Sequence, residues 1–392
     1  MRLCKESLMK KKIFYGGKVY TKDFKFEDKA VIIEDEKITD VINNAEIGNI
    51  EDAMMIDMSG KNIIPGLVDI HLHGAAGADF CDENEEAFHR ILRYEASCGT
   101  VALCPTTMTL SFDTLSNIMD CAKKASCNQT DTEAHIIGIN MEGPFVSREK
   151  CGAQNTDFLT NPDIVFFNKL QEKSDGLIKL VDIAPELDGA DEFIREVSKT
   201  CRVSLAHTMA DYEIASKAFK LGARHVTHLH NAMRPFLSRE PGLIGAAFDN
   251  KEVTPELICD GYHILPTMVR ATFELFGSDR MILISDSCMA VGMPAGQYSL
   301  GGQPVFMKDR KAALKDGTLA GSASNLMDCL QQCIKTMDIP ACDAIKAATY
   351  NPAKAIGVLD EFGSIEKGKR ASFVVLDGKY EFQSVILNGE KL

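Results

Sequence analysis

Two histidines, His71 and His73, stand two positions apart at the end of an apolar run, in the segment GLVDIHLH. Because side chains alternate between the two faces of a strand, residues i and i+2 leave the same face and can hold one cation together. Four later apolar runs also end in metal-binding or titratable side chains, as is typical of buried parallel strands that aim their chemistry at one rim. This pattern favours a metal-dependent hydrolase, whose ligands must come from distant chain positions onto one rigid face.

One carboxylate and two imidazoles end three of these runs: Glu142 in MEGPF, His207 in LAHT and His228 in VTHLHN. Taken singly, Glu142 could be a solvated loop acid, and His207 and His228 could be core histidines with satisfied hydrogen bonds, as we expect for His225. Together, at the ends of three different strands, they predict a catalytic metal site with three protein ligands and an open position for water.

Asp286 ends the last run, in the segment ILISDS. An aspartate at this place can accept a proton from an attacking water molecule and return it to a leaving nitrogen. The structural alternative is a helix N-cap, a role that Asp and Ser both favour. We favour the catalytic interpretation because the other candidate ligands point to the same rim.

The middle of the chain alternates between short apolar runs and amphipathic helical stretches, which favours a (β/α)₈ barrel over an open sheet. Predicted helices include 85–97, 112–125, 191–199, 211–221 and 268–276. The predicted strands are 67–71, 100–105, 136–141, 178–184, 202–206, 225–228, 256–260 and 281–286.

Both ends of the chain contain short β-branched runs joined by tight polar turns, a pattern typical of strands. The prediction is an α/β protein with a small β-sandwich domain built from residues 1–65 and 352–392. The barrel domain, residues 66–351, is inserted between these two parts.

Composition narrows the classes of partner. The formal net charge of −13 disfavours nonspecific binding of nucleic acid, which depends on Lys and Arg neutralising phosphates. Met1 to Lys12 is lysine-rich but no apolar stretch of a leader follows, and no run is long enough to span a membrane. Thirteen cysteines without a repeated spacing indicate reduced thiols, so we expect a cytoplasmic protein.

The motifs PGLVDIHLHG, MEGPF, LAHT, THLHNAM, SREPGLIGAAF, ICDGYH, ISDS and GTLAGS lie along nearly the whole chain. Through them the sequence resembles the N-acetylglucosamine-6-phosphate deacetylases of the amidohydrolase superfamily. The HxH pair and the late Asp are found throughout the superfamily, whereas HNAM followed by REPG and DGYH is much more specific to the deacetylases. The resemblance implies hydrolysis of N-acetyl-D-glucosamine 6-phosphate to D-glucosamine 6-phosphate and acetate, in amino-sugar metabolism.

The resemblance also implies a role for each candidate residue. Glu142, His207 and His228 would hold the main divalent ion, with Zn, Fe, Mn and Co as candidates. A second ion, bridged by Glu142, is possible because this chain keeps both histidines of the HxH pair. Asp286 would act as general base and then general acid.

Further residues would bind the substrate. His263 would contact it, and Asn231 together with the backbone of Ala232 would grip its phosphate. Arg239 would reach that phosphate from a neighbouring subunit, which implies a homodimer; its planar guanidinium suits bidentate phosphate binding. Gln154 stands where other members carry His, and it can donate a hydrogen bond to a sugar oxygen or a carbonyl.

Three alternatives stay open at the level of sequence. The same chemistry could act on N-acetylgalactosamine 6-phosphate or on an N-acetyl amino acid. A deaminase or a cyclic-amide hydrolase can share the barrel and its ligands, although many cyclic-amide hydrolases bridge their metals with a modified lysine, and no Lys stands at a candidate strand end here. A barrel that has lost catalysis and serves in assembly or sensing is disfavoured because every candidate ligand is kept.

Overall fold

The computed structural model describes residues 11–48 and 53–392 of the chain. Residues 1–10, on which the expectation about a leader depends, lie outside the described residues, as does part of the predicted segment 1–65. Strands from both parts of the described chain build a nine-stranded sheet. Its strands are Lys11–Tyr15, Lys18–Tyr20, Phe26–Glu34, Lys37–Asn43, Ala53–Asp57, Lys61–Pro65, Phe373–Asp377, Phe382–Leu387 and Glu390–Lys391.

This sheet folds over an apolar interior. The long strand Phe26–Glu34 pairs with Lys18–Tyr20 through its first residues and with Lys11–Tyr15 through its last, so it lies between these two strands in the sheet. Lys61–Pro65 pairs antiparallel with Phe373–Asp377, which joins the two ends of the chain. The interior is apolar, and the rings of Phe14 and Phe373 meet edge to face there, with centroids 4.9 Å apart. The predicted small β-sandwich from both ends is therefore confirmed, and its boundaries at 65/66 and 351/352 stay a prediction.

The large domain is a parallel barrel. Neighbouring strands pair in chain order. The barrel closes just beyond the last strand, where the Asp286 N–H donates to the His71 carbonyl at 2.9 Å and the His73 N–H donates to the Ser287 carbonyl at 2.8 Å. The strands are β1 (Leu67–Leu72), β2 (Thr100–Pro105), β3 (His135–Ile136 and Ile139–Met141), β4 (Ile178–Ile183), β5 (Arg202–Leu205), β6 (His225–Val226), β7 (Thr254–Ile258) and β8 (Ile282–Ile284).

Helices pack around the barrel through their apolar faces, and several of them begin at capping side chains. The side chains of Asn84, Ser111, Asp163 and Asp211 each accept a hydrogen bond from a backbone N–H of the first turn that they cap. These elements confirm the predicted (β/α)₈ barrel. The helices are Glu85–Ser97, Phe112–Cys127, Ile164–Lys173, Ala190–Val197, Tyr212–Leu221, Gly242–Asp249, Pro266–Phe276, Leu326–Lys335, Ala341–Ala348 and Tyr350–Ala355.

The third barrel strand differs from the prediction, which had it continuous over 136–141. The structure interrupts it at Ile137 and Gly138. Here the backbone passes so close to β4 that a Cβ atom on Gly138 would lie 2.4 Å from Cγ of Lys179. A glycine is required at that close approach, and the strand resumes one residue later to deliver Glu142 to the rim.

A three-stranded antiparallel meander follows β8 and was not predicted. Its strands are Gly296–Leu300, Gln303–Lys308 and Lys311–Ala313. The amide of Gln303 donates to the carbonyl of Ala153 at 2.7 Å, so the meander is tied to the loop that follows β3. Across the described ranges, no helix combines the length and the apolar character that crossing a membrane would need.

Candidate active site

Each predicted ligand lies at the carboxyl-terminal end of a barrel strand. His71 is the second-last residue of β1, and Glu142 directly follows β3. His207, His228 and Asp286 each stand two residues beyond β5, β6 and β8, respectively. The structure therefore brings the predicted ligands together at one rim, and all of them are buried.

The backbone at three of these residues is strained. His207, His228 and Asp286 have φ angles of 44°, 30° and 49°, in the left-handed region that non-glycine residues rarely adopt. Such conformations cost about 1–3 kcal/mol each and persist only where the surrounding structure enforces them. Their coincidence with three predicted ligands indicates that the strand ends are shaped for the site.

The first group of ligands consists of Glu142, His207 and His228. Glu142 Oε1 lies 3.1 Å from His207 Nε2 and 3.2 Å from His228 Nε2, and the two Nε2 atoms are 3.0 Å apart. His207 Nδ1 is 2.8 Å from the carbonyl oxygen of Lys150, which can only accept a hydrogen bond. The proton of the neutral ring therefore sits on Nδ1, so Nε2 presents a lone pair to the carboxylate. A lone pair and a carboxylate repel each other unless a cation lies between them, so this donor set fits a divalent ion.

A second group, made of His71, His73 and Asp286, adjoins the first. Asp286 Oδ1 is 3.3 Å from His73 Nε2 and 3.9 Å from His71 Nε2. Glu142 lies between the groups, with Oε1 3.6 Å from His71 Nε2 and Oε2 3.4 Å from His73 Nε2. Among the described residues, His71 Nε2 is a buried nitrogen without a hydrogen-bond partner. These donors also fit a cation, and Glu142 contacts both groups of ligands.

The carboxylates at the centre are ionised. Burial by itself would raise the pKa of Glu142, but in the metal-free protein the positive charge of His71 holds it well below its ordinary value. Burial opposes the ionisation of Asp286 as well, and the hydrogen bond from His73 lowers its pKa overall. Both side chains are thus available as ligands or as bases at neutral pH.

Glu256 is a buried residue that the sequence did not identify as functional. It lies in β7, and its Oε2 is 3.1 Å from His71 Nδ1 while its Oε1 is 2.9 Å from His225 Nε2. Burial favours the neutral acid, but the charge of His71 and the hydrogen bond from His225 lower the pKa of Glu256 to about 2. One feature of the sequence could have pointed to Glu256: it is a charged residue inside the otherwise apolar run PELI. His225 is the buried core histidine that the sequence predicted.

His263 is oriented by Asp260, a second residue that the sequence did not single out. The Nδ1 atom of His263 is 2.8 Å from Asp260 Oδ2. Asp260 Oδ1 accepts hydrogen bonds from the backbone N–H groups of Tyr262 and His263 at 2.9 and 3.0 Å. Burial lowers the pKa of His263, but the bond to Asp260 outweighs it and raises the value. The imidazole is thereby fixed at the wall of the cavity.

The amide of Gln154 is occupied at both ends. Its Oε1 accepts the backbone N–H of Thr109 at 2.6 Å, and its Nε2 donates to Glu142 Oε2 at 2.7 Å. Gln154 therefore orients the carboxylate that carries the first ligand group. Its contact with substrate stays a prediction.

One cavity of about 350 Å³ opens over the ligands. Asn231, Ala232, Gln154 and His263 line it together with Asp286 and with all the predicted metal ligands except His71. Arg239 is not among the described residues that line this cavity; it is exposed and lies in a separate depression with Tyr212 and Glu240. A single chain thus gathers every candidate except Arg239.

Comparisons with known proteins agree with this geometry. The model of the amidohydrolase family matches residues 62–392. The chain is 35% identical over 377 residues to the N-acetylglucosamine-6-phosphate deacetylase of Bacillus subtilis (strain 168), covering 93% of this chain and 95% of that protein. It is 31% identical over 331 residues to the N-acetylgalactosamine-6-phosphate deacetylase of Escherichia coli O157:H7, covering 84% and 87%.

The fold is also that of a solved deacetylase. A mutant of the N-acetyl-D-glucosamine-6-phosphate deacetylase from Mycobacterium smegmatis, in complex with N-acetyl-D-glucosamine-6-phosphate, superposes with a TM-score of 0.90. That structure is 28% identical in sequence, and the match covers 97% of this chain and 99% of the other. The chain therefore belongs to the amidohydrolase family, in the group of the N-acetylglucosamine-6-phosphate deacetylases.

Proposed function

We propose that this chain hydrolyses N-acetyl-D-glucosamine 6-phosphate to D-glucosamine 6-phosphate and acetate. The observation that carries the proposal is the convergence of Glu142, His207, His228 and Asp286 on one cavity in a chain that belongs to the deacetylase group. Enzymes of the amidohydrolase family generally depend on divalent metals, and this chain has two candidate ligand groups.

We assign the main ion to Glu142, His207 and His228, and a second ion to His71, His73 and Asp286. Zn, Fe, Mn and Co all accept these nitrogen and oxygen ligands, and either one or two ions per subunit are compatible with the donor set. When bound, such an ion lowers the pKa of water to about 7 in favourable sites and polarises a carbonyl oxygen.

Asp286 carries out the proton transfers in this mechanism. Its lowered pKa keeps it ionised, so it can take a proton from the attacking water as that water adds to the acetamide carbon. The same carboxyl group then delivers the proton to the amide nitrogen, which leaves as a neutral amine. Without this proton the leaving group would be an amide anion, which is far more basic than the neutral amine and therefore a much poorer leaving group.

The other cavity residues hold the substrate. His263, fixed by Asp260, contacts the bound sugar from the wall of the cavity. Asn231 and the backbone of Ala232 grip the phosphate. Gln154 keeps Glu142 oriented through its 2.7 Å hydrogen bond, and its contact with the sugar is part of the proposal.

We expect fast amine release from N-acetylglucosamine 6-phosphate and little from unphosphorylated N-acetylglucosamine, because the phosphate supplies binding energy that the neutral sugar lacks. The measurement is amine release from both compounds and from N-acetylgalactosamine 6-phosphate, with metal content determined on the same sample. No release from any of the three by metal-loaded protein would favour the deaminase and cyclic-amide alternatives.

The galacto epimer is the second candidate substrate. It is favoured by one observation, the 31% identity to the N-acetylgalactosamine-6-phosphate deacetylase of Escherichia coli O157:H7. A higher kcat/KM for the galacto than for the gluco compound would establish it. We also propose that the enzyme works in the cytoplasm.

Arg239 supports a further part of the proposal, a homodimer in which each subunit completes the site of the other. The side chain is exposed on a loop outside its own active-site cavity, so it is free to reach a phosphate bound by a neighbouring chain. Its guanidinium can engage phosphate oxygens in a bidentate manner.

We expect Arg239→Ala to raise KM for the phosphorylated substrate by at least about tenfold, since a charge-assisted hydrogen bond contributes about 1.5–3 kcal/mol. Co-expression of Arg239→Ala with Asp286→Asn chains tests the arrangement. If Arg239 acts across the interface, mixed dimers contain one intact site and recover a wild-type KM. If it acts within its own chain, no site is intact and the mixture shows no recovery.

A further inference from the structure

A continuous chain of polar contacts runs beneath the rim from the half-buried Arg202 to His71. Arg202 Nε donates to His225 Nδ1 at 3.2 Å, His225 Nε2 meets Glu256 Oε1 at 2.9 Å, and Glu256 Oε2 meets His71 Nδ1 at 3.1 Å. His225, Glu256 and His71 are fully buried. Because β5, β6 and β7 are adjacent and β1 contributes His71, four barrel strands supply one residue each to these three contacts.

Arg202 fixes the direction of these hydrogen bonds. A guanidinium has only donors, and Arg202 also donates to the Thr254 hydroxyl at 2.7 Å, which leaves that hydroxyl free to donate to His225 Nδ1 2.7 Å away. His225 Nδ1 therefore accepts, and the proton of the neutral ring sits on Nε2. That N–H then donates to Glu256. Arg202 is itself held by the carbonyl oxygens of Ala355 at 3.1 Å and Arg224 at 2.9 Å, so it has little freedom to turn away.

The carboxylate of Glu256, anchored by the N–H of His225, sets the tautomer of His71. Its second oxygen can only accept, so the neutral form of His71, which is the form that can bind a cation, carries its proton on Nδ1 and has a lone pair on Nε2. That lone pair faces Glu142 Oε1 at 3.6 Å and Asp286 Oδ1 at 3.9 Å, on the side of the second ligand group. A His71 protonated on Nε2 could not bind a cation there.

We propose that Arg202, His225 and Glu256 act together as a positioning relay that presents the Nε2 lone pair of His71 and thereby sets the affinity of the second cation site. The residues are positioning residues, because they act through His71 and lie beneath the cavity. The inference rests on the proposed cation sites and is independent of the proposed substrate.

Replacing the carboxylate of Glu256 with an amide tests the proposal directly. In Glu256→Gln the side chain has one acceptor and one donor end. Since Arg202 pins His225 as a donor, the amide oxygen must face His225 and the amide N–H must face His71. His71 Nδ1 would then have to accept, which moves the ring proton to Nε2 and blocks the second site.

The test is Co²⁺ binding to metal-stripped protein, measured by equilibrium dialysis with elemental analysis. Wild-type protein is expected to bind two Co²⁺ per chain. Glu256→Gln should bind the first with little change and the second about 10- to 100-fold more weakly, the usual effect of removing a partner of a metal-ligating His. Glu133→Gln is the matched control, because Glu133 is likewise buried between a His and an Arg, His89 and Arg93, away from the site.

A second pair of variants decides the matter if Glu256→Gln does not fold. His225→Gln keeps an N–H near the Nε2 position and should retain the second Co²⁺, whereas His225→Asn keeps only the acceptor for Arg202 and should weaken it. Unchanged Co²⁺ binding in both Glu256→Gln and His225→Asn would overturn the relay. Loss of both ions to the same degree from a folded variant would also overturn it, and so would binding of only one Co²⁺ by saturated wild-type protein. A failure of the proposed function would instead leave two bound Co²⁺ without amine release.

Discussion

Asp286→Asn is expected to lower kcat for the deacetylation by up to about 10⁴-fold, with KM and the occupancy of the ion on Glu142, His207 and His228 close to wild type. The asparagine amide keeps the shape of the side chain and an oxygen that can still face His73. It cannot take a proton from water or return one to the leaving nitrogen, so both proton transfers lose their carrier. Steady-state kinetics on N-acetylglucosamine 6-phosphate, with elemental analysis of the same preparation, measures both quantities.

Asp131→Asn serves as the control for Asp286→Asn, since Asp131 lies in an exposed turn. It makes the same chemical change and should leave kcat unaltered. If Asp286→Asn instead turned over at a rate within about tenfold of wild type while holding its metal, another group would have to be the base.

Removing the metal is expected to abolish activity and to destabilise the fold. Without a cation the lone pair of His207 Nε2 faces Glu142 Oε1 at 3.1 Å, an arrangement that is unfavourable without a positive charge. An ion present at about 100 times its Kd stabilises the native state by about 2.7 kcal/mol, so its removal should lower Tm. Dialysis against a chelator, followed by activity assays and thermal unfolding, checks both effects.

Reconstitution provides the control for metal removal. Zn²⁺, Mn²⁺ or Co²⁺ should restore both activity and Tm, whereas Mg²⁺ should restore little, because it prefers an octahedral set of oxygen ligands and these groups are rich in imidazole. Full activity in protein shown to be free of metal would contradict the assignment of Glu142, His207 and His228.

Much of the site followed from the sequence because the barrel imposes a simple rule. Parallel strands in a closed barrel end at the same rim, so residues such as Glu142 and Asp286 had to come together once their apolar runs were identified as strands. Helices were predictable for a similar reason, and Glu85–Ser97 has the predicted bounds, since an Asn cap and an amphipathic pattern mark its start and its inner face.

The parts that sequence did not reveal depend on contacts between strands. Arg202 and Glu256 are charged residues, and a sequence pattern assigns charged residues to the surface unless a partner is known. Their partners lie on neighbouring strands, so the relay exists only once β5, β6 and β7 are in register. The hydrogen bond from Gln154 to Glu142 was likewise not predictable from the sequence, because it depends on the path of the loop that carries Gln154. The interruption at Gly138 came from the approach of Lys179, which no local pattern encodes.

The joining of both chain ends in the sandwich has a consequence for how the protein is made. Asn62 bonds to Asp377, 315 residues further along the chain. At about 5–20 residues per second, a ribosome needs roughly 15 to 60 s to synthesise the intervening chain. For that time the apolar strand Lys61–Pro65 has an unpaired edge, the kind of surface on which nascent chains aggregate. Any need for a chaperone during translation therefore falls on the N-terminal part of the sandwich, while the barrel is already emerging.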